Sequence, residues 1–545
     1  MNRMFALLRM LPRGALWCLT LALALPVLTL LSSWLAYSDT TAEVWSHLAQ
    51  HVMPAYLGTS LWLCLCVGVG VVLLGTLTAT TVSLFEFRFK ATLEWCLLLP
   101  MAFPAYVVAY AYTDFLQFSG PLQSWMREAW GLEGRLLPEI RSLSGAVMVL
   151  TLSLYPYVYL LTRTALSQRA SHLMEAARLM GVSLPMRIVR VALPMARPAI
   201  AAGAALALME TLSDFGVSSY FGIQTFTVGI YKSWLVMDNR EAAAQLSTLL
   251  LALAALVLML EQRAQARLRF ASSRADRKGQ ESKPLQLDGA QAVAAWAVCL
   301  VPVVLGFVLP LVLLLRALWA GWDGLEIGAA KFYQWTFNSF SLGLVTAVLA
   351  VAMAWMVTAQ ARLHPGLSTR WAERTLGLGY AVPGVVIVVG LLLPVGWLQT
   401  HWPAAGFGGW LTASVLGLIW AYLVRFVAVA LQSLNSGYAR IPANLDDSAR
   451  ILGVYGWHLM WRVHAPMLAK PALAATLLVM VDVMKELPAT LVLRPFNSDT
   501  LAVMTYQLAR DERLAEAALP ALMLVLVGLL PVILLSKALR SDRKG

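Results

Sequence analysis

A chain of 545 residues that is 59% apolar, with a mean hydropathy of +0.70, is excluded from the ordinary soluble classes and is expected to cross a membrane many times. Its formal net charge of +12 would point to nucleic acid in a soluble protein, but here membrane topology accounts for it and no nucleic-acid partner is expected. All five cysteines, Cys18, Cys64, Cys66, Cys96 and Cys299, fall in apolar runs, which argues against both a disulfide framework and a zinc site.

Runs of roughly 20 apolar residues, the length that crosses about 30 Å of hydrocarbon, fall near 15–37, 57–82, 93–116, 143–165, 198–220 and 244–262. A second set falls near 292–319, 338–360, 375–398, 410–432, 471–493 and 517–538. The expected fold is an all-α membrane protein of about twelve transmembrane helices in two homologous six-helix halves. The halves are residues 1–262 and 292–545, joined by a cytoplasmic linker at 263–291 that mixes charge with Ser, Gly and Gln. An even number of spans puts both termini on one side, and placing them in the cytoplasm gathers most of the 41 lysines and arginines there. Arg3, Arg9 and Arg13 precede the first run as they would in a secretory signal. No small-x-small cleavage pattern follows, and Trp34 and Tyr37 suit interface anchors, so the run is expected to stay as a span.

The third run carries Pro100 and Pro104, then Tyr106, Tyr110, Tyr112 and Asp114. At an offset of 279 the ninth run places Gly379 against Pro100 and Pro383 against Pro104, and Ser60 of the second run meets Ser339 of the eighth. Proline frees backbone groups that neighbouring helices or a water-lined cavity must satisfy, so breaks at matching positions point to a substrate path. Kinks that merely shape packing would leave the same pattern.

Between the fourth and fifth runs lies the loop 170–195, with Glu175, Ala176, Ala177, Arg178, Leu179, Met180 and Gly181 in succession and Pro194 beyond. Between the tenth and eleventh lies the loop 442–467, with Asp447, Ser448, Ala449, Arg450, Ile451, Leu452 and Gly453, then Pro466, 272 positions later throughout. Each copy predicts a short helix ended by a glycine, then a second short helix leading to the proline. Asn444 fits an N-cap with Asp447 at N3, and Ser171 or His172 would play that part in the first copy. Two equivalent exposed helix-turn-helix loops suggest two docking sites for a soluble partner.

Charges inside the spans cost at least about 2.5 to 3.5 kcal/mol for an Asp or Lys and so seek partners. Glu210 with Asp214, and Asp482 with Glu486, share a helix face at i,i+4 spacing, and Lys485 lies beside them. They suit a cationic path or a gate; alternatively Lys485 pairs with Asp482 or Glu486 and holds helices together. The chain has no Gly-x-x-x-x-Gly-Lys-Ser/Thr stretch and so no P-loop for ATP. A Ser-His-Asp grouping, His-Glu-x-x-His and Cys-x-x-Cys are also missing, which argues against an enzyme. His172, His364, His458 and His464 are expected to be solvated loop residues.

The first loop, with Glu175, Ala176, Ala177, Gly181 and Leu193-Pro194, resembles the signature loop of permease subunits of binding-protein-dependent ATP-binding-cassette importers. The second departs from it at Asp447, Ser448 and Ala465. In that family the loop is a coupling helix held in a cleft of the ATPase subunit. The resemblance thus assigns coupling to Glu175, Ala176, Ala177, Arg178, Gly181, Pro194, Asp447, Ala449, Arg450, Gly453 and Pro466. Finer features are similar to fused permeases of ferric-iron importers: Tyr106 to Asp114, Asp214-Phe215-Gly216, Tyr220-Phe221-Gly222, Lys485 to Thr490 and Arg494-Pro495-Phe496. Thr505-Tyr506-Gln507 with Asp511-Glu512-Arg513 adds to the likeness.

The resemblance implies a bacterial inner-membrane location and a homodimer of ATPase subunits holding ATP and magnesium. It also implies a periplasmic ferric-binding protein and no cofactor on this chain. Tyr106, Tyr110, Asp114, Glu210, Asp214, Asp482, Lys485 and Glu486 become candidates for a path or gate, with no metal ligands assigned. Fused thiamine permeases share this architecture. A carrier driven by an ion gradient is the reading from another class, but its commonest superfamily has a Gly- and Arg-rich loop where this chain has Ser83 to Lys90.

Overall fold

A computed structural model describes residues 2–35, 46, 48–272, 285–324 and 326–541 of the protein. The first half contributes helices α1 (Asn2–Ser32), α2 (Met53–Leu84), α3 (Ala105–Leu116), α4 (Leu143–Leu179), α5 (Leu193–Ser213), α6 (Gly216–Tyr220), α7 (Phe226–Leu235) and α8 (Arg240–Ser272). The second contributes α9 (Gly289–Val303), α10 (Leu309–Ala320), α11 (Ala329–Leu363), α12 (Gly384–His401), α13 (Val415–Tyr438) and α14 (Ala443–Ile451). After these come α15 (Ala465–Lys485), α16 (Pro488–Leu493), α17 (Leu501–Arg510) and α18 (Leu514–Ser541). Among the described residues ten helices are long and apolar enough to span. The pair Lys90–Ala102 and Ala105–Trp130, bent by 89°, supplies an eleventh, against about twelve expected, and Leu16–Ser32 is an apolar helix shorter than a span.

Four expected spans are broken rather than continuous. The third and ninth each contain a 3-10 turn, Leu99–Ala102 or Gly379–Ala381, and restart behind Pro104 or Pro383 at the N-cap. Proline pushes the preceding residue out of the helical region, and both Phe103 (ψ 133°) and Val382 (ψ 119°) are extended. In the fifth and eleventh, α5 stops at Ser213 before α6, and α15 stops at Lys485 before α16.

By contacts the chain divides into two compact units. One comprises residues 49–229, 252–326 and 505–545; the other comprises 1–48, 230–251 and 327–504. Each unit therefore holds four central spans of one sequence half together with end helices of the other. In the first unit α2, α4 and α5 pack on one another, and Gly203 lets backbones meet: a Cβ there would lie 2.7 Å from Val158 Cα. In the second, α11, α13 and α15 pack likewise, with Gly437 against Leu468 and Pro471. Small residues at such contacts are how helices associate where lipid removes the hydrophobic drive. Helix α1 joins the second unit along α12 and α13: Thr29 Oγ1 donates to the Gly390 carbonyl at 2.5 Å, and Trp420 Nε1 of α13 donates to that of Ala22 at 3.0 Å.

The aligned serines do one job. Ser60 Oγ accepts from the Phe226 amide at 3.2 Å where α7 begins, and Ser339 Oγ accepts from the Leu501 amide at 2.8 Å where α17 begins. The stretch expected as linker is helical to Ser272, and beyond the undescribed residues 273–284 Leu285–Gln286 pairs in parallel with Phe85–Glu86.

Candidate functional site

The two repeated loops end their first helices in the same way. Gly181 and Gly453 sit at φ +76° and +82°, a conformation that only glycine adopts freely. Gly181 N–H reaches the Arg178 carbonyl at 3.0 Å and Val182 N–H that of Ala177 at 3.1 Å; Gly453 to Arg450 and Val454 to Ala449 repeat this at 3.0 Å each. This is the Schellman pattern, which closes the helix end and turns the chain back. Ala177 and Ala449 face inward, whereas Glu175, Arg178, Asp447 and Arg450 are exposed. Arg450 also pairs with Asp447 at 3.2 Å.

The prolines do not end the second helices as expected. Lacking an N–H, Pro194 and Pro466 cannot close the usual ladder, and the preceding turns Ile188–Ala192 and Met460–His464 widen to π-helix instead. The Leu193 amide bonds the Ile188 carbonyl, and the Ala465 amide that of Met460. The helices thus pass through into α5 and α15, and Leu184–Ser213 forms one 30-residue span.

Sequence reasoning missed the most exposed feature of both loops. Leu179 and Met180 are 86% and 74% exposed, and Ile451 and Leu452 are 86% and 81% exposed. Large apolar side chains are thus left open at two equivalent tips. The signal was present in the sequence, because an apolar pair precedes each glycine with no buried face left to receive it.

The loops begin differently. Helix α4 runs unbroken from Leu143 to Leu179 through Ser171 and His172, so the predicted capped start is absent in the first copy; the side chains of Ser171 and His172 lie outside the described residues. In the second copy α13 ends at Tyr438 and α14 starts behind Pro442, which occupies the N-cap, so Asn444 lies inside the helix and is not its cap.

Asp446, not singled out from the sequence, anchors the second loop. Its Oδ2 accepts from Arg362 Nε and its Oδ1 from His464 Nε2, both at 2.8 Å. An ionised carboxylate only accepts, so Nε2 carries the hydrogen. His464 is 0% exposed and its Nδ1 has no hydrogen-bond partner, which corrects the expectation of a solvated loop histidine. Arg362 Nη2 further donates to the carbonyls of Ile441 and Pro442 at 3.1 and 3.3 Å. Partial burial pushes the Asp446 carboxyl up, but the hydrogen bonds and charges of Arg362 and His464 outweigh it and hold the group below the ordinary carboxylate range. In the first copy the same positions are Met174 and Ala192, packed with Leu166 and Ala196 in an apolar cluster.

Of the charged residues inside spans, Asp214 and Glu486 have matching structural work at the helix breaks. Asp214 accepts from the amides of Val217 (3.3 Å) and Ser218 (2.9 Å) and from Ser218 Oγ (3.0 Å), capping α6. Glu486 accepts from the amides of Ala489 and Thr490 at 3.0 Å each and from Thr490 Oγ1 at 2.8 Å, capping α16. Carboxylates at helix N-termini meet both open N–H groups and the positive end of the dipole. Glu486 therefore does not depend on Lys485, which lies within electrostatic reach of Asp482. Glu210 lies one turn ahead of Asp214 on α5.

The proline breaks abut these acid-capped breaks within each unit. A Cβ on Gly216 would lie 2.7 Å from Tyr106 Cβ, and one on Gly384 would lie 2.6 Å from Glu486 Oε1 and 3.5 Å from an Arg425 nitrogen. Tyr106 stacks obliquely on Tyr110 and Tyr110 edge-on to Tyr220, with centroids 5.6 and 4.4 Å apart. Asp114 instead lines a cleft of about 400 Å3 with Gln117, Arg141, Glu512, Arg513 and Glu516. Among the described residues no group of three or more His, Cys, Asp or Glu is placed to hold a metal ion.

Comparison with known proteins agrees with this duplicated arrangement. Residues 71–269 and 347–542 each match the family model described as binding-protein-dependent transport system inner membrane component. The chain is 26% identical over 488 residues to the Fe(3+)-transport system permease protein FbpB 2 of Haemophilus influenzae, covering 89% of this chain and 90% of that one. It is 25% identical over 255 residues to the putative 2-aminoethylphosphonate transport system permease protein PhnV of Salmonella typhimurium, covering 44% of this chain and 91% of that one. Against the putative molybdenum transport system permease protein YvgM of Bacillus subtilis the identity is 25% over 169 residues, or 29% of this chain and 71% of that one. With two copies of the matching domain in one polypeptide, the chain belongs to the family of inner membrane components of binding-protein-dependent transport systems: it is a multi-pass ABC importer permease, a non-enzymatic part that works with an ATP-binding subunit and a binding protein.

Proposed function

We propose that this permease carries ferric iron from a periplasmic ferric-binding protein into the cytoplasm, driven by a homodimer of ATPase subunits that hold ATP and magnesium. The observation that carries the substrate is the likeness, end to end, to a relative named for Fe(3+) transport, whereas the phosphonate and molybdenum relatives match less than half of this chain. Both termini and the two loops 170–195 and 442–467 lie in the cytoplasm. Residues 1–262 and 292–545 act as the two permease halves about the linker 263–291.

The loops are the coupling elements. Each offers an exposed apolar pair, Leu179-Met180 or Ile451-Leu452, to one ATPase subunit, with Glu175, Arg178, Asp447 and Arg450 as the polar rim. Gly181 and Gly453 fix the turn, while Pro194 and Pro466 set the wide turn that leads into α5 and α15. Because α5 and α15 run from the loops to the acid-capped breaks, closure of the ATPases is transmitted to Asp214 and Glu486. Tyr106, Tyr110, Asp114, Glu210 and Asp214 near the breaks of one unit, and Asp482, Lys485 and Glu486 near those of the other, are the candidates for a path or gate.

The test is radioiron uptake into vesicles holding the chain with its ATPase and binding protein, with thiamine as the parallel substrate. Iron uptake that requires ATP is expected. Uptake of thiamine alone would overturn the substrate, and uptake driven by a proton gradient without ATP would overturn the mechanism.

A further inference from the structure

We propose that Arg362, Asp446 and His464 form a brace that positions the second coupling helix, standing in for the helical continuity that the first one has. This rests on the reading of α14 as a coupling element. A coupling helix must be rigid with respect to the spans it moves, or motion at its tip is lost in a hinge. In the first loop the hydrogen-bond ladder of α4 meets that need, since it runs without interruption from Leu143 to the tip at Leu179. In the second, Pro442 breaks the chain between α13 and α14, so the nine-residue α14 has no ladder linking it to a span on its N-terminal side.

The brace closes that gap from three directions. Arg362 lies in the last turn of α11, His464 at the junction with α15, and Asp446 in the first turn of α14. Both carboxylate oxygens are engaged at 2.8 Å, one by each neighbour, which fixes Asp446 in orientation as well as distance. The second arm of Arg362 holds the carbonyls of Ile441 and Pro442, in the segment between the two helices. Ser83, Met174 and Ala192 occupy the corresponding positions of the first half, so the polar triad belongs only to the half whose helix is interrupted.

Amide hydrogen exchange of the purified permease tests the brace without reference to transport. Asp446→Ala is expected to speed exchange of residues 443–451 by about tenfold or more, as for a local opening, and to leave residues 174–179 unchanged. His464→Gln, which keeps a donor at the same reach, should restore most of the protection that His464→Ala loses. In vesicles with ATPase and binding protein, Asp446→Ala should lower uptake about tenfold, within the range of a coupling free energy. ATP hydrolysis and the amount of permease in the membrane should hold within about twofold, so that ATP used per ion rises.

Should Asp446→Ala fail to accumulate, the triple variant Arg362→Ser, Asp446→Met, His464→Ala gives the second half the apolar set of the first. It is expected to accumulate normally yet keep fast exchange and low uptake, because apolar packing does not replace the missing ladder. Unchanged exchange at 443–451 in Asp446→Ala, His464→Ala or the triple variant, or normal uptake in the triple variant, would overturn the brace. If Glu175→Lys and Asp447→Lys both leave uptake normal, the coupling reading falls and the exchange arm still judges the brace. If Glu175→Lys abolishes uptake while Asp446→Ala leaves it unchanged, the brace alone falls.

Discussion

The two repeated loops leave their first helices alike and enter them differently. Both exit through a Schellman turn at glycine and a π-turn ahead of proline, and both expose an apolar pair. At the entry one is the tip of a 37-residue helix, while the other is a nine-residue helix held by Asp446, Arg362 and His464, with Trp355 packed in the clusters that hold its Ala449 and Leu445. The difference teaches that continuity of backbone hydrogen bonds and a buried polar network are alternative ways to fix the same element. The first is written in a run of helix formers, and the second in side chains far apart in sequence.

The strongest challenge to the equivalence of the tips is to charge them. Leu179→Glu with Met180→Glu, and separately Ile451→Glu with Leu452→Glu, should each lower iron uptake about a hundredfold, as expected for loss of central anchors, and should release the ATPase on purification. A large loss from one pair only would break the symmetry of docking. Glu175→Lys should abolish uptake with the protein still in the membrane, and normal uptake there would count heavily against a coupling role. Asp447→Lys is expected to do less, because Asp447 already pairs with Arg450 on the exposed surface.

Gly384→Ala and Gly216→Ala probe the paired breaks. Each Cβ meets an atom closer than 3 Å, so each should lower stability by about 1 to 3 kcal/mol in thermal unfolding, the cost of overpacking. The loop comparison also has a pH signature. The Asp446 carboxyl is lowered from 3.8 in the folded state, so the stability it contributes is present above 3.8 and lost as pH falls through the lower folded value. Exchange at 443–451 should therefore rise in acid ahead of that at 174–179, and a rise already seen near neutrality would contradict this assignment. The smallest effects are expected from Ser60→Ala and Ser339→Ala, which each remove one bond to a helix start and should cost about 1 kcal/mol, equally in both halves.

Much of the candidate site was legible in the residues. The glycines at 181 and 453 announced left-handed turns, and the offset of 279 aligned Ser60 with Ser339, though not the helix starts that each of them holds. Asp214 and Glu486 were visible as charges in apolar runs, but not as caps, because their partners are amides of helices that begin only after the break. The shared apolar pairs at the tips were readable and passed over. Asp446 was overlooked in favour of its neighbour Asp447, although a signal lay in the repeat itself: Met174 and Ala192 become an acid and a base at once in the second copy.

By itself the sequence determined the order of the spans, the doubling of the chain and the two loops. Those follow from local properties: the length of apolar runs, the φ that glycine allows and the amide that proline lacks. Only the tertiary structure decided which end helices each compact unit takes, and that Arg362, 84 positions from Asp446, reaches it while the adjacent Asp447 faces outward. Hydrogen bonds that span such separations depend on how helices pack, and packing is set by the whole surface of each helix rather than by any stretch read in order.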